Sequence, residues 1–173
     1  MIPLNSIYSD FDLIWRFSDA EKYVQLSEAE FRRFHPIPSD ESIKLWNEYV
    51  YPSNNSREHH LTELYVQKNI KWPDGPTFKT DDDVVEKEIA SLLRKSFPLP
   101  DNTTVYFFWH AETCVKTDWG LFLSYWDDFC YPSDDSDVIV IPEFDKAIIY
   151  IEDRWHFLPK ALGKTIFQHQ ENV

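Results

Sequence analysis

The sequence predicts an α+β protein, with helices packed on an antiparallel sheet. Three observations predict it. Helical periodicity dominates the N-terminal half. The aliphatic runs VIVIP and AIIYIED follow one another in the C-terminal half, joined by the hairpin-length link Glu143-Phe144-Asp145-Lys146. Aromatic side chains make up 17 % of the 173 residues, which lets a single domain of residues 1–173 bury a core without disulfides or metal.

The elements follow in order. FDLIWRF, residues 11–17, predicts a short strand with Leu13, Trp15 and Phe17 on one face. Ser27 and Glu30 have capping-box spacing, with Phe31 and Phe34 at helical distance, so a short helix starts there and ends before Pro36. A second helix, capped by Ser39 or Asp40, carries Ile43, Trp46 and Val50 as its inner stripe. Residues 52–79 are irregular, with a short amphipathic piece (Leu61, Leu64, Tyr65) and a Pro-Asp-Gly-Pro turn. After Asp81-Asp82-Asp83, the spacing of Val85, Ile89, Leu92 and Leu93 predicts a third helix, with Arg94 and Lys95 at its negative end.

VYFFWH predicts a buried strand, and a turn at Ala111-Glu112-Thr113 leads into Cys114-Val115-Lys116. Thr117 or Asp118 caps a fourth helix that runs to Phe129, with Trp119, Phe122, Leu123 and Trp126 inward. RWHFLP adds a last edge strand, and residues 161–173 form a tail or a small closing helix.

Composition narrows the function. Seventeen Lys and Arg stand against 30 Asp and Glu, for a net charge of −13. Such a field repels nucleic acid and anionic membranes and attracts basic proteins. The start of the chain lacks a basic segment followed by a long apolar one, and no apolar run approaches the roughly 18 residues of a membrane helix. Two cysteines, Cys114 and Cys130, make no disulfide framework, so reduced thiols and a cytoplasmic location are expected.

FDLIWRF, HPIPSDESIKLWNEYV and DNTTVYFFWHAETCVKTDWGLFLSYWDDF together resemble a family of small gammaproteobacterial proteins that carry a domain of unknown function. The likeness covers about half the chain and leaves out residues 52–79 and those after Lys160. It implies no catalytic residue. The acidic, tryptophan-rich composition and the run WDDFCYPSDDSDVIVIP are similar in type to immunity proteins of bacterial polymorphic toxin systems. That likeness implies a cytosolic protein that binds and neutralises a toxin domain made by the same cell.

Catalytic and metal motifs do not complete themselves. His110-Ala111-Glu112 has the H-x-E spacing of zinc deaminases, but Cys114 is followed by Val115-Lys116-Thr117 and never by a second cysteine at the required distance. His59, His60 and Glu63 could hold a metal, but their segment is polar and irregular and shows no H-x-x-x-H or H-E-x-x-H. A calcium loop begun at Asp135 would need a glycine and would put Lys146 where a bidentate glutamate belongs. With three glycines in the chain, no phosphate cradle or nucleophile elbow is present. No catalytic residue, metal ligand or cofactor is therefore assigned.

What remains is a surface. Between residues 101 and 160, twelve Asp and Glu stand against Lys116, Lys146, Arg154 and Lys160. Asp127 and Asp128 are expected at the C-terminus of the fourth helix, where carboxylates are unfavourable, so they are read as functional. With Tyr131, Asp134, Asp135 and Asp137 they form the expected partner-binding rim, an aromatic anchor ringed by acids. The expected partner is a basic toxin domain, possible nuclease activity included. A regulatory binding protein of another partner, whose acidity serves solubility, and an enzyme with a site assembled only in three dimensions are the alternatives.

Overall fold

The computed structural model describes residues 11–19, 21, 23–50, 77–79, 86–130, 136–151 and 154–158. Its centre is a seven-stranded, wholly antiparallel sheet. The strands are β1 (His35–Ile37), β2 (Thr77–Lys79), β3 (Thr104–His110), β4 (Thr113–Asp118), β5 (Ser136–Ile141), β6 (Lys146–Ile151) and β7 (Arg154–Leu158). Their order across the sheet is β1-β4-β3-β5-β6-β7-β2. β3, β5 and β6 carry buried apolar residues at both parities because the sheet is covered on both faces.

Alternation sorts the strand residues between two cores. Val105, Phe107 and Trp109 of β3 join Ile139 and Ile141, Ile148 and Tyr150, and Trp155 and Phe157 on one face. Over them lie α3 (Glu86–Ser96), α4 (Trp119–Ser124) and α5 (Trp126–Phe129), with the segment from Phe11 to Phe34. Phe129 is the hub of that side, with ring centroids 4.9 Å from Phe17, 5.0 Å from Phe107 and 5.6 Å from Phe122. On the opposite face Phe108, Cys114, Val138, Val140, Ala147 and Ile149 pack with Trp46 of α2 (Ser39–Tyr49) and with Val50, which caps its end.

Several expectations are corrected. FDLIWRF is no strand: Ile14–Phe17 is a 3₁₀ turn, with Phe17 fully buried and Trp15 39 % exposed. Strand alternation would have put both inward. α1 (Glu28–Phe31) does carry the capping box on Ser27 and Glu30. Past it, His35–Ile37, to which the sequence assigned no element, pairs with β4. Pro36 fits there because, among the described residues, β1 is an edge strand that needs no donor on its open side. The residue capping α2 is Pro38, with no side-chain hydrogen bond. Of the expected stripe, Trp46 and Val50 are buried and Ile43 is half-buried, with Ser42 buried beside them. Ser42 Oγ donates to the Ala111 carbonyl at 2.8 Å, which ties α2 to the β3–β4 hairpin.

In α3, Ile89 and Leu93 are fully buried whereas Leu92 is 38 % exposed. Val85 and the aspartates before it lie outside the described residues, as do 52–76 and the closing segment 161–173. β7 is not an edge, because β2 pairs along it. The β5–β6 link is the 3₁₀ turn Pro142–Phe144, closed by Asp145 at φ 49°. Aspartate tolerates that left-handed conformation because its short polar side chain bonds locally.

The predicted fourth helix is two. Asp118 caps α4, accepting from the Leu121 amide at 2.9 Å, and the helix stops at Tyr125, φ −134°. Ser124 Oγ donates back to the Gly120 carbonyl at 2.8 Å, a bond that bends helices, and α5 starts afresh at Trp126. Asp127 and Asp128 therefore stand in the first turn of α5, where the helix dipole favours carboxylates. The argument that they sit at an unfavourable C-terminus is overturned.

Candidate functional site

Of the six residues expected to form the rim, Tyr131, Asp134 and Asp135 lie outside the described residues. Asp127 and Asp128 are half-buried on α5. Asp137 is not a surface residue: it is 0 % exposed. β5 begins at Ser136, and alternation turns Asp137 to the same face as Ile139 and Ile141, opposite Tyr150 in register. Reading 134–137 as one solvated cluster missed the strand start.

Tyr125 is the centre of what is brought together. Its hydroxyl donates to Glu30 Oε1 at 2.7 Å, across 95 residues of chain. The other carboxylate oxygen of Glu30 accepts from the Ser27 amide at 2.8 Å and from Ser27 Oγ at 2.6 Å. One turn on, Arg33 grips Asp118 with both its Nε, at 2.6 Å from Oδ2, and its Nη2. Asp118 thus caps α4 and ties it to the end of α1. Arg32 pairs with Glu28 at 2.5 Å.

These bonds fix the charge states. The hydrogen bond to Ser27, then that to Tyr125, hold the Glu30 carboxyl below its ordinary range. The bond to Glu30, followed by burial, pushes Tyr125 up to about 12. Bonding to Asp118 raises Arg33. Tyrosine and carboxylate are driven apart and away from neutrality, opposite to the tuning a general acid or base needs. Burial, then the charge of Glu41, pushes the Cys114 thiol well above its usual value, and Cys130 is also buried. Neither matches the exposed, electropositive setting of a reactive thiol.

His110, the other residue weighed for chemistry, has its Nε2 2.8 Å from Thr113 Oγ1 at the hairpin turn. Among the described residues, no group of three or more His, Cys, Asp or Glu could hold a metal ion, and no helix is long and apolar enough to cross a membrane.

α1, α4 and α5 therefore bring Glu30 and Asp128 to Tyr125, beside the ion pair of Arg33 with Asp118. Of these, the capping box made Glu30 legible in sequence. The Tyr125–Glu30 and Arg33–Asp118 partnerships had no sequence signal, because they join separate elements.

Fold and site together define an antiparallel-sheet protein, helix-covered on both sides, with two carboxylates gathered at a half-buried tyrosine. The family described as "Protein of unknown function (DUF2947)" matches residues 6–156, and the chain belongs to that family. No curated protein and no solved structure matches it.

Proposed function

We propose that this protein is an immunity protein: it binds a basic toxin domain and neutralises it by covering its working surface. The observation that carries the reading is the excess of carboxylates that α1, α4 and α5 bring together: Glu30 and Asp128 at Tyr125, beside an Asp118 already paired with Arg33. An excess of negative charge raises the association rate with a basic partner. Against a nuclease, the same carboxylates would occupy the place of substrate phosphates. The site chemistry favours binding over catalysis, since Glu30 and Tyr125 titrate away from neutrality.

The test is co-expression with the C-terminal domain encoded by the reading frame immediately upstream. Cells are expected to survive only with this protein present. Death despite its expression, or failure of the two purified proteins to form a complex, would overturn the proposal. In the complex, Asp127→Asn with Asp128→Asn should slow association several-fold at low salt, converging on the parent above ~0.5 M.

A further inference from the structure

We draw no further inference here: the strongest candidate, the buried His156 of β7 beside the strand β2, which burial and then the charge of Arg154 hold below its ordinary titration range, rests on that titration alone, and no described residue shows what its protonation would move.

Discussion

The Tyr125 hydroxyl is the residue through which this surface is most open to experiment. Its folded-state pKa is raised from an ordinary 10 to about 12 by its bond to Glu30. A raised tyrosine value means the neutral form is favoured in the fold. The stabilisation is thus complete below pH 10 and lost as pH rises through about 12. Glu30 has the opposite sign: its depressed value gives stability that is present above the usual carboxylate range and lost as pH falls through the folded value. Tyr125→Phe should lower stability at neutral pH by about 0.5–1.5 kcal/mol in urea unfolding. It should also shrink the alkaline loss, to which the raised Tyr49, Tyr106 and Cys114 contribute the rest, and shrink the acid loss as Glu30 returns toward its ordinary range. An unchanged alkaline limb would show that Tyr125 takes no part in it. Gly120 illustrates a different constraint: a Cβ there would lie 2.9 Å from Asp101 Cβ and 3.2 Å from its carbonyl oxygen, so the 101 turn docks only on a bare backbone.

At the scale of elements, the junction of α1 with α4 depends on Asp118. It holds two roles that substitution can separate. Asp118→Asn keeps an oxygen for the Leu121 amide and loses the charge that faces Arg33. Arg33 is half-exposed, so the loss should be at most about 1 kcal/mol. Asp118→Ala also removes the cap and should cost about 1 kcal/mol more. Chemical denaturation of the two variants checks the ordering. Equal losses would mean that the cap contributes nothing. The break at Tyr125 matters in the same way. One continuous helix would have put Asp127 and Asp128 in its last turn, whereas two helices place them where the second dipole favours them.

For the molecule as a whole, two cores on either side of one sheet imply that both thiols open only with the fold. Cys114 and Cys130 are 0 % and 2 % exposed. In the native protein both should resist an excess of a thiol reagent, then react within seconds once urea unfolds the chain. Fast labelling of either under native conditions would show local opening around it. The edges follow the same logic of cover: β1 and β2 close the sheet with three residues each, and Pro36 blunts one of them.

Composition and periodicity by themselves determined the fold class, the capping box of α1, the buried strand β3, a helix capped at Thr117 or Asp118 and the β5–β6 hairpin. These are local or solvent-averaged properties, written in spacing and side-chain type. Only the tertiary structure decided that FDLIWRF turns rather than extends, that His35–Ile37 joins the sheet edge, that Asp137 points inward and that the helix after Asp118 breaks. Each of those outcomes depends on a partner distant in the chain: Phe129 for Phe17, β4 for β1, β6 for Asp137, Glu30 for Tyr125. A sequence window carries no record of such a partner, and the energy of a long-range contact is enough to override a local preference.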